Sequence, residues 1–406
     1  MKQNRLLRSI VTFFLLLSFC TSAYAMPPTA PTAVRPESKD WARQMVGASY
    51  AAEHGITGKG VKVAIIDSGL CPEFSEYSKA TLLPGKNLLA SPNSTGRSDV
   101  RDANGHGTFI ASIIAGSAYG FAPEVTLLPL KIFQDNLTAS DDVADAIHQA
   151  IDAGCDVISM SFGFSQDDPT MRSAIAEARS RDIILVTSAG NQFGQTVSGP
   201  ETILYPAAYP GVIAVGAVDA AKQVSTFSTQ NEFVDIVAPG SAVYGLSAHS
   251  LCYVPEDGTS FSAPIVAAAA ALARSVDPTI TADRFLALMQ ETAEDLGEPG
   301  RDDVYGGGLL NLGLLLAELR GDEDSLIVSK CRGASYLSAY WDISAQEDGI
   351  LCIAAYDEDG RFLSLRQQAL HTGKNYFNNV PLTAAHVSLA VLDRRSGAVL
   401  RGVLTD

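Results

Sequence analysis

The segment VKVAIIDSG, from Val61 to Gly69, is the part of this chain that best indicates its architecture. Its first six residues are apolar apart from Lys62, and their β-branched side chains are typical of a strand that is buried on both faces. Asp67 follows this strand directly and precedes a turn. A carboxylate at the end of a buried strand is costly without a partner, so Asp67 is either a cap of the next turn or a functional group.

Similar apolar strands recur along the chain, with amphipathic helical patterns between them. Further strands are predicted at 125–130, 157–160, 183–186 and 212–215, and helices at 141–153 and 168–181. Strands that alternate with helices indicate βαβ units and a mostly parallel sheet that is covered on both faces. We therefore predict an α/β domain over residues 41–320, with its functional groups at the carboxyl ends of the strands.

After residue 320 the pattern changes to strands that are joined by turn sequences. Two hairpins are predicted, at 350–365 and 386–403, because each range has two apolar runs around a polar, glycine-containing turn. We predict that residues 321–406 form a separate small antiparallel, sandwich-like β domain. Cys331 and Cys352 lie on its strands and could form a disulfide.

The first 25 residues predict an export signal. Three basic residues precede the apolar run 10–19, and the sequence AYA at 23–25 supplies a small-x-small cleavage site. The run is too short to span a bilayer comfortably, although an uncleaved anchor is the alternative. Residues 26–40, which are rich in proline, are expected to form a linker or N-terminal tail. We expect a secreted or cell-envelope protein with no membrane insertion after signal cleavage.

Composition excludes several classes of protein. Apolar residues make up 47% of the chain and charged residues 18%, so a large core can form and wholesale disorder is excluded. The formal net charge is −16, and an acidic chain is repelled by nucleic acid and by anionic membranes. Six cysteines are too few for a scaffold that is held mainly by disulfides. We expect no nucleic-acid partner.

Two further segments carry candidate catalytic side chains. NGHGT, at 104–108, has a histidine between two glycines and precedes an apolar run that predicts a helix. GTSFSAP, at 258–264, leads into an alanine-rich helix and places Ser260 near its start. Taken singly, His106 is more often a structural residue and Ser260 an ordinary N-cap. Together with Asp67 they supply the carboxylate, imidazole and hydroxyl of nucleophilic catalysis.

In these segments and in this order, the chain resembles the subtilisin family (subtilases) of serine proteases. The matching signatures are IIDSG at 65–69, GHGT at 105–108 and GTSFSAP at 258–264, with supporting stretches at 56–61, 121–123, 209–218 and 237–240. The resemblance covers roughly residues 41–320. It implies a three-layer subtilisin-like fold and a serine endopeptidase that works through an Asp-His-Ser triad and an acyl-enzyme.

The resemblance also implies a role for individual residues. Asp67 orients His106, which takes the proton of the Ser260 hydroxyl, while Asn191 and the Ser260 N–H donate to the oxyanion. The alternative for Asn191 is an ordinary turn residue. The implied substrate-binding residues are Ser159, Ser161, Gly163, Ser188, Ala189, Gly190 and Leu204. Leu204 is expected at the floor of the P1 pocket, where it favours small or medium apolar P1 residues. No acidic residue falls among these positions, so a preference for a basic P1 residue is unsupported.

Two departures from the family concern folding and calcium. Only residues 26–40 separate the predicted cleavage site from the catalytic sequence, so the usual propeptide domain is not visible. Residues 113–121 lack the Asn-rich insertion that builds the strong calcium site of subtilisin. We therefore predict no metal or other cofactor, calcium being possible but unsupported by the sequence. Cys155 is expected to be buried and inert, whereas Cys71 and Cys252 lie in loops near the site and could pair.

The expected partners are protein or peptide substrates, and the expected state is a monomer. One alternative is a dedicated processing protease that cuts a single precursor. Another is a weakly active protein that keeps the subtilase fold for adhesion or binding through its β domain. The presence of Asp67, His106, Ser260 and Asn191 counts against the second, because a binding protein needs none of them. Catalysis by a histidine base further predicts that activity falls as pH drops through roughly 6–7.

Overall fold

The computed structural model describes two parts of the chain. The first consists of residues 39–89, 98–134, 139–192 and 203–321, and the second of the C-terminal segments 326–329, 336–343, 349–357, 359–369, 373–381, 386–393 and 399–405. The predicted signal peptide, nearly all of the predicted linker and Cys331 lie outside these residues.

A parallel sheet forms the centre of the first part. Its strands are β1 (Lys62–Asp67), β2 (Thr81–Leu82), β3 (Lys86–Asn87), β4 (Thr126–Lys131), β5 (Val157–Met160), β6 (Ile184–Ser188), β7 (Val212–Val218) and β8 (Ile236–Pro239). Their order is β2-β4-β1-β5-β6-β7-β8, with β3 also paired to β4, and all of these pairs are parallel. The predicted α/β fold with a mostly parallel sheet is confirmed.

Helices cover both faces of this sheet. They are α1 (Trp41–Met45), α2 (Ser49–Glu53), α3 (His106–Ala115), α4 (Ser140–Asp152), α5 (Pro169–Ser180), α6 (Thr259–Val276), α7 (Ala282–Thr292) and α8 (Leu312–Arg320), with a short 3-10 turn at Ser75–Tyr77. Side chains of β1 alternate between two cores: Val63 and Ile65 belong to the core beneath α3, α6, α7 and α8, and Ala64 and Ile66 to the core beneath α4 and α5. Burial on both faces explains why the strands are almost continuously apolar.

Helix α6 runs through the larger core. Its residues 259–273 are all buried, and a helix that is apolar on every side belongs in a protein interior or in a membrane. Within the described residues it is the one helix long and apolar enough to span a membrane, yet 83% of its apolar window is buried inside the protein. It is therefore the central helix of the fold, and its N-terminus is buried.

Antiparallel strands complete the structure. In the first part, β9 (Val243–Leu246) and β10 (Tyr253–Glu256) form a two-stranded hairpin. The C-terminal strands are β11 (Leu326–Ser329), β12 (Tyr336–Ile343), β13 (Gly349–Tyr356), β14 (Phe362–Ala369), β15 (Gly373–Pro381), β16 (His386–Asp393) and β17 (Val399–Thr405). They form a three-stranded sheet, β11-β12-β15, and a four-stranded sheet, β14-β13-β16-β17. The predicted antiparallel C-terminal region is confirmed, but Cys352 is a free thiol rather than half of a disulfide.

Candidate active site

Asp67 and His106 meet at the carboxyl end of the sheet. Asp67 is the last residue of β1, and His106 is the first residue of α3. The Nδ1 atom of His106 lies 2.8 Å from Asp67 Oδ1 and 3.0 Å from Oδ2, and each side chain is only 1% exposed. Gly105, with φ of 99°, turns the chain into the helix in a conformation that a side chain would disfavour. A carboxylate only accepts hydrogen bonds, so it fixes the proton on Nδ1 and leaves Nε2 of the neutral imidazole as the basic atom.

A second buried carboxylate, Asp102, organises the loop that carries the histidine. Its Oδ1 accepts hydrogen bonds from the N–H of Gly105 at 2.7 Å and of Asn104 at 3.1 Å. Its Oδ2 accepts from the N–H of Thr108 at 2.8 Å, inside the first turn of α3. Asp102 was not predicted from the sequence. The available signal was an aspartate four residues before a helix start, where it can bind the unpaired N-terminal N–H groups.

Ser68 connects the two carboxylates. Its N–H donates to Asp67 Oδ1 at 2.7 Å, and its hydroxyl donates to Asp102 Oδ1 at 2.9 Å. The same hydroxyl accepts a hydrogen bond of 2.8 Å from the N–H of Gly107. The end of β1 and the start of α3 are thus joined by hydrogen bonds that do not involve the imidazole.

The charge around His106 favours its protonated form. Burial by itself lowers the pKa of His106, because the interior disfavours the imidazolium. The charge and hydrogen bond of Asp67 outweigh that effect, with further contributions from the charges of Asp102 and Glu256, so the pKa of His106 is raised above its ordinary value of 6.5. The site is therefore suited to an imidazole that gains a proton during a reaction.

Ser260 lies in the first turn of α6, close to the histidine. The ring of the next residue, Phe261, lies 5.8 Å from the His106 ring. The Ser260 hydroxyl donates to the carbonyl of Ser161 at 3.4 Å, and the Ser161 hydroxyl donates to the carbonyl of Ser260 at 2.9 Å. Nε2 of His106 is buried and has no hydrogen-bond partner among the described residues. In this conformation no hydrogen bond joins the Ser260 hydroxyl to Nε2 of His106.

Asn191 is oriented by the residue that precedes the serine. Its Oδ1 accepts hydrogen bonds from both the N–H and the hydroxyl of Thr259, each at 2.8 Å. The opposite end of the amide, Nδ2, remains as a donor near Gly258. The N–H of Ser260 is a second donor of the helix N-terminus, where the first N–H groups have no intrahelical acceptor. Thr259, which fixes the amide, was not identified from the sequence.

Leu204 lies between the two predicted walls of the P1 pocket. Its side chain would meet a Cβ added at Gly163 at 3.3 Å and would collide with one added at Gly190. Gly190 also has φ of 114°, which disfavours any side chain there. The neighbouring segments pair through Phe164 and Tyr205, whose N–H groups donate to each other's carbonyls at 2.7 and 2.8 Å. The structure therefore brings Leu204 together with one glycine from each wall.

The remaining predicted pocket residues fall into two groups. Ser188, at the end of β6, and Ala189 are buried beside Gly190. Ser159 belongs to β5 itself, where it pairs with Ile65 and Val186, and its buried hydroxyl has no hydrogen-bond partner among the described residues. Ser159 therefore lies within the sheet and not in the loop that follows it.

The cysteines near the site are free thiols. Cys71 is buried and Cys252 is exposed, so the pairing considered from the sequence is not formed. Cys155 is buried, as predicted, and burial raises the pKa of its thiol to about 12. A thiol with so high a pKa is protonated at neutral pH and is a poor nucleophile.

The described residues offer no clustered set of metal-ligating side chains. No group of three or more His, Cys, Asp or Glu side chains that could hold a metal ion occurs in the part of the chain that the structure describes. The carboxylate of Glu76, in the 3-10 turn Ser75–Tyr77, accepts hydrogen bonds from the Tyr253 hydroxyl at 2.5 Å and from the N–H of Ala118, in the loop after α3, at 2.6 Å. Protein donors thus engage this carboxylate.

Comparison with known proteins identifies the family. Residues 58–308 match the sequence profile of the Subtilase family. The chain belongs to the subtilase family. This subtilase is 32% identical over 283 residues to Subtilisin BL of Lederbergia lenta, a match that covers 68% of this chain and 97% of the relative. It is 36% identical over 231 residues to the major intracellular serine protease of Bacillus subtilis, covering 55% of this chain and 71% of the relative.

A solved structure agrees with this assignment. The crystal structure of MycP1 with the N-terminal propeptide removed is similar to this subtilase with a TM-score of 0.58 and 28% identity, covering 70% of this chain and 96% of that one. The predicted subtilisin-like fold and serine endopeptidase activity are therefore confirmed, and proteins or peptides are the substrate class.

Proposed function

We propose that this subtilase is an exported endopeptidase in which Asp67, His106 and Ser260 form the catalytic triad. The observation that carries this proposal is the buried hydrogen bond between Asp67 and His106, which leaves an unpartnered Nε2 beside the first turn of α6. An imidazole held in one tautomer with its basic atom free is the arrangement that activates a serine hydroxyl.

The reaction begins when the Ser260 hydroxyl leaves the carbonyl of Ser161 and turns to Nε2 of His106. Such a turn is a rotation between staggered side-chain conformations. Nε2 takes the hydroxyl proton as Oγ attacks the scissile carbonyl, and the adjacent Asp67 stabilises the imidazolium that forms. The imidazolium then protonates the leaving amine. Water then attacks the acyl-enzyme with His106 again as the base, and the free serine is regenerated.

The oxyanion of the tetrahedral intermediate is assigned to two donors. One is Nδ2 of Asn191 and the other is the N–H of Ser260. Thr259 supports this role, since two hydrogen bonds to Oδ1 hold the amide in one orientation before substrate arrives. Donors that are already oriented stabilise the developing charge without further reorganisation, and the loss of one typically lowers kcat by about 10²–10³.

The substrate's P1 side chain is assigned to the space bounded by Gly163, Gly190 and Leu204. Contact of Leu204 with both glycines shortens a pocket that glycine at the same place would leave open. Ser161 and Gly163, which follow β5, and Ser188 and Ala189, at the end of β6, are proposed to form the walls.

Export is proposed from the N-terminal sequence alone. The basic residues, the apolar run and the AYA site together match a secretory signal. One relative is named as an intracellular protease, so similarity does not specify the compartment. Expression of the full chain, followed by N-terminal sequencing of the extracellular protein, tests this part. We expect a mature N-terminus at Met26. A protein that stays in the cell with residues 1–25 still attached would contradict export.

The catalytic assignment is tested with Ser260→Ala in the purified enzyme. The variant should keep its fold and lose peptidase activity, with only about 10³–10⁴-fold catalysis over water remaining. His106→Ala should lose nearly as much, because members of a triad act as a unit. Activity similar to that of the wild type in either folded variant would refute the assignment.

A further inference from the structure

The β9–β10 hairpin lies along the helix that begins with His106. The N–H of Leu246, in β9, donates to the Ser112 hydroxyl at 2.8 Å. At the other end of the contact, the ring N–H of His249 donates to the carbonyl of Asn104 at 3.1 Å. The Phe109 ring fills the place where a side chain at Gly245 would lie. The hairpin therefore borders the histidine on the α3 side of the site.

Glu256 ends this hairpin four residues before Ser260. It pairs with Val243 across the hairpin. The next residue, Asp257, accepts a hydrogen bond of 2.6 Å from the N–H of Ala242, and the N–H of Gly258 donates to the carbonyl of Gly240 at 2.9 Å. These contacts fix the backbone on both sides of Glu256. The backbone at Glu256 is thus fixed four residues before Ser260, and the half-buried Glu256 is close enough to His106 for their charges to interact.

The carboxylate of Glu256 has no bonded partner in the part of the chain that the structure describes. It makes no hydrogen bond or ion pair with any described residue, and the titratable groups that act on it are Asp257 and His106. Burial and the charge of Asp257 raise the pKa of Glu256, while the imidazole lowers it. A half-buried charge without a partner is costly, and that cost falls when a cation binds.

The position of Glu256 also indicates which substrate residues it can contact. The P1 pocket lies on the Ser161 side of the serine, where Gly163, Gly190 and Leu204 come together. His106 delivers a proton to the leaving amine, so the residues after the scissile bond must pass on the histidine side. The hairpin that bears Glu256 borders that side.

We propose that Glu256 is a specificity residue that binds a lysine or arginine side chain at P1′ or P2′ of the substrate. This inference rests on the proposed triad, because the triad defines the leaving-group side. A charge-assisted hydrogen bond to a basic side chain is expected to raise kcat/KM about tenfold over an uncharged residue of similar length. Basic residues at the primed positions of a substrate thus raise kcat/KM, whereas no carboxylate was identified in the P1 pocket to bind a basic P1 side chain.

The test uses the full-length enzyme and matched internally quenched peptides that differ only at P1′ or P2′, with lysine compared with norleucine. The wild type should prefer lysine about tenfold at one of the two positions. Glu256→Gln, which keeps the shape of the side chain, should reduce the preference to about onefold, and Glu256→Arg should reverse it toward glutamate. Asp257→Asn is the matched control, because it removes an adjacent exposed charge and should keep the lysine preference.

Three outcomes overturn the proposal. The first is no lysine preference in the wild type, and the second is a lysine preference that survives in Glu256→Gln. The third is an equal loss of that preference in Asp257→Asn, since the effect would then come from general charge. Hydrolysis of a p-nitroanilide, which has no primed residues, separates this proposal from the triad. If the wild type cleaves the anilide in a Ser260-dependent manner and lacks lysine preference, only the Glu256 proposal fails; if it cleaves neither substrate class, the triad fails first.

Discussion

The hydroxyl of Ser68 donates a 2.9 Å hydrogen bond to the carboxylate of Asp102, so two buried acidic groups act on one histidine through different routes. Asp67 contacts the imidazole directly. Asp102 instead binds the backbone around His106, and Ser68 joins the two. The position of the imidazole therefore depends on a residue that does not touch it.

Asp102→Asn should lower kcat more than it raises KM. An amide can replace one of the carboxylate oxygens as an acceptor but not both, so either the Thr108 N–H or the donors on Oδ1 lose a partner. Misplacing a catalytic group by about 1 Å costs up to 10²-fold, and an unsatisfied buried donor destabilises by about 1–3 kcal/mol. Steady-state kinetics and thermal unfolding measure both effects.

Ser68→Ala provides the comparison for that experiment. It removes the link between the carboxylates and the acceptor of the Gly107 N–H. It leaves the Asp102 contacts with Gly105 and Thr108 in place, so its effect on kcat should be smaller than that of Asp102→Asn. An Asp102→Asn enzyme with unchanged kcat, or with a change in KM alone, would show that Asp102 does not position the histidine.

The pH profile of kcat/KM should have an acid limb above 6.5. Folding raises the pKa of His106 because the carboxylates outweigh burial, and only the neutral imidazole can accept the serine proton. Activity therefore falls as pH drops through this raised pKa. The raised pKa also means that the stability due to the protonated pair is present at low pH and is lost as pH rises through it.

Asp102→Asn and Glu256→Gln each remove a negative charge that acts on His106, so both should move the acid limb to lower pH. Profiles measured on the same uncharged anilide substrate report this shift. A limb that stays in place in both variants, or a flat wild-type profile from pH 8 to pH 4, would contradict a histidine base in this environment.

Leu204→Gly should shift P1 preference toward phenylalanine. In the wild type the leucine occupies the space between Gly163 and Gly190, so small or medium apolar residues such as alanine, valine, leucine or methionine should be preferred. Forcing a larger side chain into such a space costs about 1–3 kcal/mol, roughly a 5- to 150-fold difference in kcat/KM. A peptide series varied only at P1 measures the preference. A wild type that already favours phenylalanine or tyrosine tenfold would show that Leu204 does not limit the pocket.

A chain that ends at Arg320 should fold and keep its activity. Both cores of the described α/β part are built from residues between Trp41 and Leu319, and the candidate site lies wholly within that range. The separate-domain hypothesis for residues 321–406 therefore predicts that kcat/KM on short peptides changes little. An insoluble or inactive shortened chain, beside an active full-length one, would mean that the C-terminal strands belong to the catalytic fold.

Sequence was informative where a pattern repeats or where a residue type is chemically unusual. The strands were predicted to within a few residues because two-sided burial demands long apolar runs, as in β5 and β7. Asp67, His106 and Ser260 were identified because each stands in a glycine-containing signature. Leu204 was predicted at the P1 pocket by the family resemblance.

Other features depend on contacts that no short segment reveals. Asp102 and Thr259 act through hydrogen bonds to residues that folding brings near, and aspartate and threonine are common in any loop. Glu256 became visible only once the hairpin was seen to lie beside α3. The free state of Cys71 and Cys252 likewise depends on three-dimensional placement, since sequence spacing cannot supply a distance between thiols.

The measurement that tests the triad most directly is covalent labelling of the folded full-length protein with a fluorophosphonate, followed by peptide mapping by mass spectrometry. We predict one adduct, on Ser260, which is abolished in Ser260→Ala, strongly slowed in His106→Ala and absent from protein unfolded in urea. An adduct on another residue, or equal labelling of folded and unfolded protein, would contradict the assignment of Ser260 as a nucleophile activated by His106.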